Sequence, residues 1–152
     1  MIQLDDLLKK EHIISNLQAF TKNEALGEML DKLRETCPNL DRDSALSKFL
    51  EREALGSTGI GDEVAIPHCW MDGCGKPMVV LARSVTGCDF AALDGRKCHI
   101  FCLLLMPENM PGHFNILAHF ARMLKLKEFR SRFMESADAE EILNLLKFFW
   151  RG

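Results

Sequence analysis

The stretch Cys98–Met106 reads Cys-His-Ile-Phe-Cys-Leu-Leu-Leu-Met and is apolar without a break from Ile100 to Met106. A strand apolar at successive positions must be covered on both faces, so it belongs in the middle of a sheet with a layer of structure on each side. The run is far shorter than the roughly 20 residues needed to cross a bilayer. A second strand-forming run, Met78–Val85, precedes it, and both are bounded by glycine and proline. Val64–Pro67 reads as a third, shorter strand.

Helical patterns lie on either side. Thr21 to Thr36 opens with a capping box, Thr21 and Glu24, and repeats apolar residues at Ala25, Leu26, Met29, Leu30 and Leu33. Asp41 or Asp43 caps a second helix through Ala45, Leu46, Phe49 and Leu50, which ends before Gly56. Gly112–Leu126, Lys127–Glu135 and Ala137–Phe149 read as three more. The order helices, strands, helices fits one α/β domain over residues 1–152, a mixed sheet flanked by helices on both faces. With 152 residues, 47% of them hydrophobic and 27% charged, the chain has enough apolar material for that core.

Charge narrows the partners. The net charge is −3, so a global attraction to nucleic acid or anionic lipid is missing. The basic residues between Arg122 and Arg132 are interleaved with apolar ones at helical spacing and read as a solvated helix face. The opening segment carries Asp5, Asp6 and Glu11 and is unlike a secretory leader, so the expected location is the cytoplasm. The six cysteines, at 37, 69, 74, 88, 98 and 102, are then expected to be thiols, mostly small core residues. On one strand, Cys98 and Cys102 are expected to share a face, too far apart to chelate one ion. No C-x2-C pair occurs, so a zinc site would need ligands from distant segments.

The residues with chemical promise cluster around one loop. Ser57, Thr58, Gly59, Ile60 and Gly61 lead into the Val64–Pro67 strand, and His68 follows directly. Ligands bind at the carboxyl ends of strands in open α/β sheets. A histidine just past such an end is held by a rigid sheet, and near neutral pH its imidazole is a nucleophile. The same spacing also fits an ordinary surface histidine. On the helix after Pro111, His113 falls on the stripe of Ile116, Leu117, Phe120, Ala121 and Leu124, so it faces inward at the first turn. There it suits either an anion contact or a core histidine satisfied by a carbonyl. His119 falls on the opposite, solvated face, and His12 and His99 have no informative context. Arg52 ends the second helix five residues before Ser57, where its guanidinium fits either phosphate oxygens or a surface ion pair with Glu51 or Glu53. Glu53 falls inside the apolar stripe, which implies a loop cap or a buried partner. Cys69, next to His68, is a candidate reactive thiol.

The segment Ile60–Cys69, reading Ile-Gly-Asp-Glu-Val-Ala-Ile-Pro-His-Cys and preceded by Glu53, resembles the type-2 IIA domains of the phosphoenolpyruvate-dependent phosphotransferase system. That is the fructose/mannitol group, which includes nitrogen-regulatory members. The opening Ile2–Leu8, the helix after Thr21, the turn Leu50–Glu53, the Pro107 loop and the helix from His113 are also similar. The resemblance implies a phosphocarrier with His68 as the phosphoryl-bearing residue on Nε2, His113 as a second histidine beside it, and Arg52 in the same site. Ser57, Thr58, Gly59 and Gly61 would bind the phosphoryl oxygens. It implies no cofactor and no metal, a phosphohistidine donor similar to HPr, and a downstream IIB component or regulatory protein target. The chain reads as regulatory rather than as a sugar permease component, since it shows no fused IIB or IIC segment. Oligomeric state is left open, a homo-oligomer included. Departures from the group's pattern are Glu63 where glycine is common, Cys69, the segment Cys69–Cys74, and the aromatic tail Phe148–Trp150, which is free to pack on a partner. A rival of another class is a thiol or zinc sensor using Cys69 and Cys74.

Overall fold

The computed structural model describes residues 3–72, 75–110 and 113–150, with His113 and Phe114 as backbone alone. A six-stranded mixed sheet forms the middle layer, and the described helices cover both faces. The long apolar run is β6 (Cys98–Met106), as its composition required, and it lies in the interior of the sheet. On one edge it pairs antiparallel with β5 (Met78–Cys88), which in turn pairs parallel with β1 (Ile13–Ile14). On the other edge it pairs parallel with β3 (Val64–Ala65) and then with β4 (His68–Trp70). A short β2 (Gly59–Gly61) closes a hairpin onto β3.

The two faces sort by strand alternation. Phe101, Leu103 and Leu105 join Val80 and Ala82 on one face, beneath α2 (Lys22–Arg34) and α3 (Arg42–Ala54). Ile100, Cys102, Leu104 and Met106 join Val79 and Leu81 on the other, beneath α1 (Leu4–Leu7), α4 (His113–Lys125), α5 (Lys127–Glu135) and α6 (Ala139–Phe149). Each fully buried side chain of the size of Phe49 or Phe120 contributes about 1.5–3 kcal/mol.

The helix starts follow their capping residues. The Thr21 hydroxyl accepts from the Glu24 N–H, while Glu24 reaches back to the N–H of Phe20. Asp41, rather than Asp43, caps α3 by accepting from the Ser44 N–H at 3.1 Å. Asp138 does the same for α6 through the Glu141 N–H.

Several expectations need correction. The glycine loop contains a strand, β2, and His68 starts β4 instead of trailing free after β3; Ile66 and Pro67 separate the two strands. β5 continues to Cys88 through an irregularity that places Cys88 opposite Cys98. That shift puts Cys98 on the α2/α3 face and Cys102 on the other, so they do not share a face. Cys37 is disulfide-bonded, whereas Cys69, Cys88, Cys98 and Cys102 are free thiols. His12 is buried: its Nδ1 accepts from the Lys9 N–H and its Nε2 bonds the Thr36 hydroxyl at 2.7 Å. Two residues of the aromatic tail pack on their own chain, with Trp150 against His119 and Phe120 and Phe149 edge-on to Phe129, while Phe148 is exposed. His119 is therefore half-buried, not solvated. Arg130 donates to the carbonyls of Leu124 and Lys125, so this part of the basic cluster caps a helix end.

Candidate active site

Three local structures converge on His68. The first is the break between β3 and β4. Proline at 67 removes a ladder donor, and the chain resumes pairing at His68, opposite Leu104. The carbonyl of Ile66, two residues back, lies 2.7 Å from His68 Nδ1. A carbonyl only accepts, so Nδ1 carries the ring hydrogen and Nε2 keeps its lone pair. Among the described residues Nε2 makes no hydrogen bond. The ring is half-buried and stands edge-on to Trp70, centroids 6.0 Å apart.

The second is the end of α3. Arg52 is half-buried and donates from Nη1 to the Gly56 carbonyl at 2.9 Å, which folds the guanidinium back over the loop. Glu53 is buried, as its place on the apolar stripe implied, and its partners explain it. One carboxylate oxygen accepts from the Thr58 N–H at 3.1 Å and pairs with Lys22 Nζ at 3.1 Å; the other accepts from the Thr58 hydroxyl. Glu53 is thus a clamp on the loop. Lys22 and the Thr58 side chain, which complete it, carry no local signal that points to Glu53.

The third is the loop itself. Ser57 Oγ donates to the Phe90 carbonyl and accepts from the Gly59 N–H. The Thr58 carbonyl accepts from the Ile66 N–H, tying the loop to the residue that orients His68. Gly59 passes so close to Ala92 that a Cβ there would sit 2.7 Å from the alanine methyl. The hairpin turn Asp62–Glu63 has φ of 57° and 63° at its two central residues, the type I′ geometry that favours glycine. The N–H groups of Thr58 and Gly59 are therefore already engaged, while that of Ser57 has no acceptor among the described residues.

The electrostatics favour a neutral ring. Burial pushes the His68 pKa below 6.5; the Ile66 carbonyl opposes this, Arg52 adds to it, and Glu53 opposes it weakly. His113 begins α4, and its side chain, expected from the helical stripe to face inward, lies outside the described residues.

The family model for the phosphoenolpyruvate-dependent sugar phosphotransferase system, EIIA 2, matches residues 6–148. The chain belongs to this family. It is 30% identical over 147 residues to a nitrogen regulatory protein of Pseudomonas aeruginosa, covering 96% of each chain. It is 33% identical over 127 residues to a fructose-specific EIIA component of Haloferax volcanii, covering 83% of this chain and 82% of that one. The crystal structure of nitrogen regulatory protein IIA-Ntr from Neisseria meningitidis superimposes with a TM-score of 0.84 at 31% identity, over 92% of this chain and 96% of that one. No described helix is long and apolar enough to cross a membrane.

Within this EIIA 2 domain the cysteine reading changes. Cys69 is buried, and burial pushes its thiol up to about 12, which removes the thiolate that a reactive cysteine needs. Cys74 lies outside the described residues. Among the described residues no group of three or more His, Cys, Asp or Glu is placed to hold a metal ion.

The Glu53 clamp has a measurable consequence. Glu53→Gln keeps the shape but leaves one oxygen to serve two Thr58 donors and Lys22. Hydrogen bonds to a charged group contribute about 1.5–3 kcal/mol, so urea denaturation should show a loss of roughly 2 kcal/mol. Amide exchange at Thr58 should accelerate with it.

Proposed function

We propose that this chain is a histidine phosphocarrier in which His68 Nε2 accepts a phosphoryl group from the phosphohistidine of an HPr-like protein. The observation that carries this reading is the Nδ1–H bond to the Ile66 carbonyl, which leaves the Nε2 lone pair exposed to an incoming phosphorus. The N–P bond of the donor breaks as the His68 Nε2–P bond forms. Nδ1 keeps its proton throughout, so no general base is required. The ring becomes positive as the bond forms, and the Ile66 carbonyl stabilises that charge.

Catalysis of such a loose transfer is mainly positioning and charge stabilisation. Arg52 has guanidinium donors beyond the one held by Gly56, and these suit the phosphoryl oxygens. His113, at the first turn of α4, is the proposed second donor. The Ser57 N–H is a further one. Thr58, Gly59 and Gly61 act by shaping the loop and not as donors, since their groups bond within the fold. Leu55, Ile60 and Leu93 are exposed apolar side chains around the same loop and form a face for a partner protein.

The output is read as regulatory, on the near full-length similarity to a nitrogen regulatory protein. A phosphoryl group adds negative charge to the docking face and changes which protein binds there. The similarity to a fructose-specific EIIA component supports a second reading, transfer onward to a IIB component. Cytoplasmic location follows from either.

The test is intact mass after incubation with phosphoenolpyruvate, enzyme I and HPr. An acid-labile gain of one phosphoryl group is expected, and its absence with active donors would overturn the reading. Offering the phosphorylated chain to a fructose-type IIB component then separates the two outputs by whether the label moves.

A pH profile adds a second check. Only the neutral ring has a lone pair on Nε2, and the folded-state pKa lies below 6.5. The rate of phosphoryl acceptance should decline as pH falls, with its midpoint at a lower pH than that of an unperturbed histidine. The unfolded chain takes the proton more readily, so His68 also makes the fold less stable as pH falls below about 6.5.

A further inference from the structure

We infer that the cavity between α4 and the end of α6 is a binding site for a small aromatic or aliphatic carboxylate. It has a volume of ≈ 330 Å³ and is lined by His119, Arg122, Met123, Leu126, Phe149 and Trp150. That size lies within the range of small-molecule sites. The site is separate from the His68 chemistry and does not rest on it.

The walls and the polar end specify the ligand class. Met123, Leu126, Phe149 and Trp150 supply an apolar surface, and Leu126 is 48% exposed, large for a leucine between two helices. The indole of Trp150 is held in place by His119 at 5.3 Å and Phe120 at 5.4 Å between ring centroids. A flat apolar body would meet a rigid wall there, which limits the ordering cost of binding.

The polar end is cationic. Arg122 is exposed and donates from Nη2 to His119 Nδ1 at 3.2 Å. That bond makes Nδ1 the acceptor, so the neutral ring carries its hydrogen on Nε2 as a second donor. Among the described residues Arg122 has no carboxylate partner, unlike Arg42, Arg96, Arg130 and Arg132. None of the lining residues is acidic. A guanidinium with no carboxylate partner among the described residues, beside an apolar cavity, fits a carboxylate whose body fills that cavity. A neutral ligand would gain only the apolar half of the site.

The test compares a matched pair of probes on the full chain, 3-phenylpropionate and its neutral isostere 3-phenylpropanol, by backbone amide NMR titration. The acid is expected to bind with a millimolar Kd and at least tenfold more tightly than the alcohol, about 1.4 kcal/mol. Shifts should concentrate in residues 119–126 and 149–150. Arg122→Gln, on an exposed side chain, should erase the tenfold preference while leaving alcohol binding and the melting temperature unchanged. Absence of binding at about ten times the expected Kd would overturn the proposal. So would equal affinity for the two probes, a preference that survives Arg122→Gln, or shifts that map elsewhere.

Discussion

His68→Ala should abolish the phosphoryl gain completely while leaving the fold intact. The substitution removes the ring whose Nδ1 is fixed on the Ile66 carbonyl, and alanine offers no nucleophile. His68 is half-buried at the first position of β4, where pairing with Leu104 runs through the backbone and survives the change. The informative control is His68→Gln, which keeps size and a polar side chain yet has no nucleophilic nitrogen. Both variants should melt cooperatively near the wild-type temperature, and neither should acquire an acid-labile phosphoryl group by intact mass. A residual gain in either would move the acceptor to another histidine, with His113 the first to replace. Arg52→Gln should behave differently. It retains the nucleophile and loses charge stabilisation, so acceptance should slow by about 10²–10³-fold, the scale of one lost oxyanion donor, without vanishing.

The largest stability effect is expected at Arg83. This side chain is buried, 6% exposed, within the strand β5. Its Nε donates to the Ser15 carbonyl at 2.9 Å, and its Nη1 serves the carbonyls of Phe133, Met134 and Ser136 at the end of α5. One guanidinium thus joins the segment leaving β1 to the last turn of α5, where the helix dipole also favours a cation. Arg83→Met fills similar space but leaves those carbonyls without a donor in a dry environment. A buried acceptor left unpaired costs about 1–3 kcal/mol, so the four carbonyls together come to about 4 kcal/mol or more, and in a domain of this size each kcal/mol moves Tm by about 2–4 °C. A fall of roughly 8 °C or more is therefore expected by calorimetry. Arg83→Lys should recover only part of it, because an ammonium on one stem cannot span from Ser15 to Ser136. A change below about 1 kcal/mol in Arg83→Met would show that water replaces the guanidinium and that the clamp is dispensable.

Arg83 also marks where local pattern stops being informative. It interrupts an apolar strand, and that interruption was the available sign, yet its acceptors lie 50 to 68 residues away in sequence. The same holds for Glu53. Its position on an apolar stripe announced a buried carboxylate, but Lys22 comes from another helix and completes the site only after folding. The face that Cys98 takes on β6 differs from the sequence expectation for a related reason. Strict alternation puts Cys98 and Cys102 together, but past the irregularity between Arg83 and Cys88 the residue Cys98 pairs with Cys88 and packs with the other face. Such a shift depends on how two strands register, which neither strand contains.

What the chain's own residues determined is the set of elements and the nucleophile. Helix periodicity, with Thr21 as a cap and Asp41 or Asp43 as another, and an apolar run that demanded cover on both faces, are short-range properties of side-chain size and backbone hydrogen bonding. The Ile60–Cys69 segment identified His68 because its glycines, proline and histidine are contiguous. Tertiary structure alone decided the rest. It set the tautomer of His68, recruited Lys22 and Thr58 to Glu53, buried Arg83 among carbonyls, and folded Trp150 over His119 to form a cavity. The His68 bond to Ile66 and the Glu53 bonds to Thr58 span only two and five residues and depend on how the loop is folded; the others need groups far apart in the chain to be brought within about 3–5 Å, the range over which hydrogen bonds and ring contacts act.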